Sequence, residues 1–239
     1  MINFEDFFML YIVATPIGNL GDTSSRAIEV LKSVSVIACE DTRRTWQLLS
    51  SLEIPRPEMI SYREGNEEFA GNRIIGLLKS GVDVALCSDG GYPAISDPGF
   101  RLVRSAVAEG LELTVIPGAS AVNISLIMSG LPTSSWTFKG FPPRKPGALH
   151  RFFADEAELP HTMILFESPF RVSPTLKAAL EALGDRNAAV CMELTKLHER
   201  IERGPLSSLI GKFEGVKIKG EVSIVIEGKR REKRSQNDE

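Results

Sequence analysis

Several side chains fit for proton transfer or anion binding stand directly after short apolar runs of this chain. Glu40, Asp41, Arg43 and Arg44 follow Val34 to Cys39, and Asp89 follows Val82 to Cys87. Glu167 and Arg171 follow Met163 to Phe166; Glu193 and Lys196 follow Ala188 to Met192. A carboxylate so placed can take a proton from a hydroxyl, and a cation can hold a phosphate or steady a developing alkoxide. Each also has a plainer reading. Asp41 and Arg43 would serve equally as an ion pair within a turn. Asp89 would serve as a tie for its own loop, and Glu167 with Arg171 as a helix start capped by Ser168. Lys196 has the stronger functional claim, because Thr195-Lys196 follows a strand and opens no obvious solvent face.

The longest of these loops runs Ser88-Asp89-Gly90-Gly91-Tyr92-Pro93-Ala94-Ile95-Ser96-Asp97-Pro98-Gly99. Two adjacent glycines let the backbone enter conformations closed to other residues and let a ligand approach closely. Two prolines stiffen it and remove backbone donors. A turn between two elements needs far less, so the loop reads as a holder for a small molecule.

The elements that must position these groups follow from the apolar patterning. Leu10 to Ala14, Val34 to Cys39, Val82 to Cys87 and Leu111 to Ile116 read as strands. Ser24 to Ser33, Phe69 to Lys79 and Gly99 to Glu109 read as helices. This order predicts an α/β fold with a mainly parallel sheet and helices on both faces. Four polar loops close these strands: 15–22, 40–45, 88–99 and 117–121. Open α/β sheets bind ligands outside the carboxyl ends of their strands, so the loops define a crevice. Ser129 to Gly147 is rich in glycine and proline and reads as a domain junction. Beyond it come strands Met163 to Phe166, Ala188 to Met192 and Val222 to Glu227, with helices Pro174 to Leu183 and Leu206 to Phe213. The expected domains are 9–130 and 131–228, with 229–239 a charged, disordered tail.

Composition narrows the class. The chain has 239 residues, 43% of them hydrophobic, and a formal net charge of -3. That is an ordinary globular balance with no global basic field for nucleic acid. The 3 cysteines lie far apart without CxxC spacing, so they read as buried thiols of a cytoplasmic protein. No apolar run is long enough to span a membrane. His150, His161 and His198 show no metal spacing, and no metal is expected. Trp46 and Trp136 read as packing residues. Arg144, Lys145, His150 and Arg151 form the best patch for contact with RNA, and the basic tail is a second place where phosphate could be met without sequence preference.

The ordered segments Ala14 to Asp22, Glu40-Asp41-Thr42-Arg43, Ser96-Asp97-Pro98-Gly99, Pro117 to Ala121, Glu167-Ser168-Pro169, Glu193-Leu194-Thr195-Lys196 and Gly220-Glu221 resemble the tetrapyrrole methylase superfamily. Within it, the chain is most similar to the branch that methylates the ribose 2′-hydroxyl of a cytidine in small-subunit ribosomal RNA. The resemblance covers about Leu10 to Gly228. It implies two α/β domains, the first with a mainly parallel sheet and the second with a mixed one, and S-adenosylmethionine in the cleft between them.

Carried over by motif, the implied cofactor residues of the first domain are Pro16, Ile17, Gly90, Gly91, Tyr92, Ile95, Ser120 and Ala121, joined by Asp89 from the crevice edge. Those of the second are Phe166, Glu167, Leu194 and Glu221. Glu40, Asp41, Arg43 and Lys196 are the catalytic candidates, small-subunit ribosomal RNA the expected partner, and a homodimer the assembly implied by analogy. Tyr92 departs from the family, which usually has Thr there, and is expected to reshape the methionine end of the pocket. Methylation of a tetrapyrrole ring, and a non-catalytic adenosine-ligand sensor or RNA adaptor on the same fold, are the alternatives. A nicotinamide oxidoreductase ranks last, because no G-x-G-x-x-G follows the first strand.

Overall fold

Apolar alternation sorts the first half of the chain onto two faces of one sheet. The computed structural model describes residues 8–230. Within them the chain divides into two compact units, the first ending at Ser120 and the second beginning at Ala121. The first unit runs β1 (Met9–Val13), α1 (Ser25–Ser33), β2 (Val36–Cys39), α2 (Thr42–Ser51), β3 (Glu58–Ser61), α3 (Glu67–Lys79), β4 (Val84–Cys87), α4 (Phe100–Ala108) and β5 (Glu112–Ile116). Its sheet has the order β3-β2-β4-β1-β5, with every pairing parallel. Leu10, Ile12, Ala38 and Leu86 point toward Ile74, Leu78 and Leu102 of α3 and α4. The alternate residues Val13, Ile37, Cys39 and Cys87 point toward Ala27, Leu31 and Leu49 of α1 and α2. Burial on both faces explains why β2 and β4 are uninterrupted apolar runs.

From β1 the chain passes over β4 to reach β2, and from β4 it passes over β1 to reach β5. Adjacent strands therefore send their connections in opposite directions. The carboxyl ends of those two strands are the usual ligand position of such sheets.

The second unit runs α5 (Ala121–Ser129), β6 (Trp136–Phe138), α6 (Pro146–Ala154), β7 (Thr162–Glu167), α7 (Val172–Leu183), β8 (Asn187–Met192), β9 (Arg200–Pro205), α8 (Leu206–Phe213) and β10 (Val222–Ile226). Its sheet has the order β6-β7-β10-β8-β9; β6 lies parallel to β7 and the remaining pairs are antiparallel. Leu165, Val190 and Ile224 of one face meet Phe153, Leu176 and Leu209 of α6, α7 and α8. The other face meets α5, where the Cys191 thiol contacts the Ser125 carbonyl.

Read from sequence, the junction falls after Gly130, whereas the compact units part ten residues earlier, since α5 packs on the second sheet. The glycine- and proline-rich stretch after it contains real elements. Pro146 opens α6 at its first helical position, where a missing N–H is harmless. The strands and helices expected from the sequence fall within two residues of the observed boundaries, whereas α2, β3, α5, β6 and β9 were not expected. Trp46 of α2 packs with Arg56 over its ring, whereas Trp136 lies substantially exposed on the edge strand β6. Most of the 229–239 tail lies outside the described residues.

Phe153 is fully buried among the helices and sheet of the second unit. Phe153→Ala should cost about 3–5 kcal/mol by emptying that volume. Urea denaturation should show a lower midpoint; an unchanged midpoint would place the core elsewhere.

Candidate active site

Four loops leave the carboxyl ends of β1, β2, β4 and β5, and hydrogen bonds lace them together. Thr15 and Gly91 exchange both backbone hydrogen bonds, N–H to O at 2.9 and 3.0 Å. The Thr15 hydroxyl also donates to the Ser88 carbonyl at 3.2 Å, and the Ser88 hydroxyl donates to the Gly91 carbonyl at 3.1 Å. Asp89 reaches the second loop: its carboxylate accepts from the Asp41 N–H at 3.3 Å and from Arg44 at 3.1 Å. Tyr92 reaches the fourth, its hydroxyl accepting from the Gly118 N–H at 3.1 Å.

The glycines here are required by geometry. Gly91 has φ of +84°, a conformation side chains rarely tolerate. A Cβ on Gly118 would stand 3.0 Å from Ala14 Cβ and 3.1 Å from the Ala14 carbonyl oxygen. Ala94 and Ser96 hold φ of +69° and +63° without being glycine, which stores strain in the turn of the long loop. Ala94 N–H closes that turn on the Pro98 carbonyl at 3.2 Å.

Ile95 is 50% exposed and offers an apolar face, while Pro16 and Ile17 are buried. Beside them lies glycine backbone that a flat ring can approach closely. Ser120 and Ala121, the last implied residues of this group, sit where the first unit ends and α5 begins.

The catalytic candidates of the first unit differ in how firmly they are held. Asp41 caps α2, accepting from the Arg43 N–H at 2.8 Å and pairing with its guanidinium at 2.9 Å. Arg43 holds the Asp41 carboxyl well below the usual carboxylate range, at about 2. The plainer reading of this pair thus describes its geometry, and Arg43 itself is 87% exposed. Glu40 is the contrasting case. Burial, and then the negative charge of Asp89, push its pKa up.

The second sheet gathers its own group of candidates. β7 and β8 both run antiparallel to β10, so their carboxyl ends flank its amino end, with Val222 opposite Glu167 and Met192. Phe166, Glu167, Leu194, Lys196 and Glu221 therefore share one edge. Lys196 Nζ donates to Glu193 at 2.8 Å and to Glu221 at 3.0 Å. Glu193 also accepts from the Glu221 N–H at 2.9 Å. Burial draws the Lys196 pKa down, but the two carboxylates outweigh it and leave the ammonium above its ordinary value. Next to it, the buried Thr195 hydroxyl oxygen has no hydrogen-bond partner among the described residues. An orphaned polar atom of this kind calls for a ligand or a water.

Glu167 turns inward. Its carboxylate accepts from the Ser168 N–H and the Thr175 hydroxyl and lies 3.4 Å from Arg171. Any contact with a ligand at this position falls to the backbone. Phe166 packs edge-on against Phe138 and Phe141, and Leu194 is buried.

Thr195, Ser88 and Gly118 were missing from the sequence-derived site. Thr195 and Gly118 lie inside the quoted motifs, but no spacing distinguishes an orphaned hydroxyl or a forbidden Cβ. A hollow of about 450 Å³ walled by Asp185, Arg186 and Glu227 opens at the opposite edge of the second sheet. It is separate from these residues. No group of three or more His, Cys, Asp or Glu among the described residues is arranged to hold a metal.

A parallel sheet with laced loops at its switch point, followed by a mixed sheet with a charged edge, defines a two-unit α/β protein. The family model described as Tetrapyrrole (Corrin/Porphyrin) Methylases matches residues 9–210, and the chain belongs to that family. It is 45% identical over 224 residues to the "Ribosomal RNA small subunit methyltransferase I" of Halalkalibacterium halodurans, covering 94% of this chain and 77% of that one. The protein of the same name from Thermotoga maritima is 42% identical over 220 residues, covering 92% and 98%. Among solved structures, the methyltransferase CobJ shares the fold with a TM-score of 0.70 at 14% identity, covering 95% of this chain and 97% of that one.

Gly91→Val should weaken S-adenosylmethionine binding at least tenfold, because a β-branched residue does not hold the φ of +84° and the loop would have to shift. Calorimetry would measure it. Unchanged affinity in a folded variant would remove the long loop from the site.

Proposed function

We propose that this protein transfers the methyl group of S-adenosylmethionine to the ribose 2′-hydroxyl of a cytidine in small-subunit ribosomal RNA. The observation that carries the reading is the laced set of loops around Gly91, in a chain more than 40% identical to proteins named for ribosomal RNA methylation. When bound, the sulfonium supplies an activated methyl, so the protein must align the acceptor and exclude water. The tetrapyrrole alternative keeps only the family's name and the fold likeness in its favour.

The roles follow from the site. Glu40, with its raised pKa and no cap to serve, is the residue we assign to accept the hydroxyl proton. Asp41 positions that loop by capping α2, and Arg43, paired with Asp41 yet 87% exposed, presents its open side to phosphate. Lys196 stays protonated and steadies negative charge. Exposed Arg144, Lys145, His150 and Arg151 at the start of α6 serve as an RNA-facing patch. Cytoplasmic location and a homodimer complete the reading.

Nucleoside mass spectrometry of ribosomal RNA from cells with and without the protein should show loss of one 2′-O-methylcytidine in its absence. No difference would sink the assignment. A second measurement addresses Glu40. A base with a raised pKa gives a rate that climbs with pH until above the ordinary carboxylate range and is flat beyond. Glu40→Gln should remove that limb and lower turnover about 10²–10⁴-fold. The raised pKa also means that Glu40 favours folding below its unfolded value of 4.5 and loses that contribution as pH rises through the folded one. Glu40→Gln should therefore melt no lower than the parent at neutral pH. Full turnover by this variant would remove Glu40 from proton transfer.

A further inference from the structure

At the edge of the second sheet that carries Glu167 and Glu221, a hollow of about 190 Å³ opens beside the start of α7. Its walls are Pro169, Phe170, Ser173, Val216, Lys217 and Ile218, over a floor of buried Phe213. Phe170 stands 88% exposed above it. A single exposed aromatic residue is ordinary on a protein surface. Here three independent features coincide. Pro169, Val216 and Ile218 give the hollow apolar side chains beside polar groups such as Ser173, an aromatic face stands open at its rim, and the only charged residue lining it is a lysine. Lys219 follows two residues on, also exposed. Neither Lys217 nor Lys219 makes an ion pair with a described residue, although Lys177, Lys196 and Lys212 nearby in sequence or fold all do. Glu214 is taken by Lys177 at 2.6 Å, and Glu221 by Lys196 at 3.0 Å.

We infer that this hollow is a subsite for an unpaired base of the RNA substrate, stacked on Phe170, with the flanking phosphates on Lys217 and Lys219. Single-stranded RNA is held in this way, by an aromatic platform within reach of unpaired cations. A protein partner fits less well, because two uncompensated positive charges would have to be buried against it. The site's position supports the assignment. The hollow lies between Pro169-Phe170, which leave β7, and the 214–220 segment, which leads into β10. Both segments border Glu167 and Glu221, so a base seated here keeps the next nucleotides at the same sheet edge as Lys196. The inference rests on the proposed RNA activity and names where the substrate's neighbouring nucleotide is held.

The test compares the parent with Phe170→Ala, Phe170→Trp and a Lys217→Ala/Lys219→Ala double variant. Binding to a short single-stranded RNA rich in cytidine is titrated at several salt concentrations, with duplex RNA of equal length as comparator. Phe170→Ala should weaken single-strand binding about tenfold and leave duplex binding unchanged, and Phe170→Trp should restore it. The lysine double variant should lower the salt slope by about 0.7 for each phosphate it no longer neutralises. Calorimetry should show unchanged affinity for S-adenosylmethionine, and melting temperatures should match, since Phe170 is exposed. Equal single-strand affinity of Phe170→Ala and parent overturns the subsite, whether or not the parent methylates RNA. Sedimentation that finds Phe170→Ala dissociating a dimer, with RNA affinity intact, assigns the hollow to a second copy and also overturns it. Failure of the parent to methylate ribosomal RNA, with stacking-dependent binding retained, counts against the proposed reaction and leaves the subsite standing.

Discussion

The reciprocal backbone pair between Thr15 and Gly91 is the contact on which the first unit's site depends. It joins the loops that leave two neighbouring strands in opposite directions, and it does so without a side chain. The conformation it needs at residue 91 belongs to glycine. Once those two loops are fixed, Asp89 can anchor the second loop and Tyr92 the fourth. The Gly-rich stretch is therefore less a flexible lid than the knot that ties neighbouring loops.

The second unit solves a related problem with charge. Lys196, Glu193 and Glu221 form a compact ionic cluster at the sheet edge, partly shielded from water. Glu193 and Thr195 hold φ of +51° and +65°, so the segment bearing Lys196 is strained. Gly220 keeps the room the cluster needs, because a Cβ there would overlap the Glu193 carboxylate. Strain, shielding and an orphaned hydroxyl in one short segment are the features expected of a site held ready for a ligand.

Much of this was legible in the sequence. Runs such as Val84–Cys87, buried on both faces, announced a parallel sheet, and the polar loops ending those runs marked its carboxyl edge. Edge elements were harder. β9 reads Arg-Ile-Glu-Arg-Gly-Pro, and its charges belong to a strand whose outer side faces solvent. α2 buries only Thr45 and Leu49, so its helical period barely registers. α6 was hidden by the proline that starts it. At the candidate site, the sequence names residues but not what holds each of them. Nothing in Asp41-Thr42-Arg43 distinguishes a helix cap from a catalytic pair, because both need the same two side chains two positions apart. Glu167 likewise looks the same in sequence whether it faces a ligand or Thr175.

Tyr92 joins its own loop to the one that leaves β5. With its phenol oxygen spanning to the Gly118 amide, the aromatic ring acts as a strut between two strand ends. A short hydroxyl in that place would leave the amide seeking water, and the segment would have to settle anew at each encounter. Here that ordering is complete in the folded chain, so a ligand seated among these loops would forfeit less entropy on association.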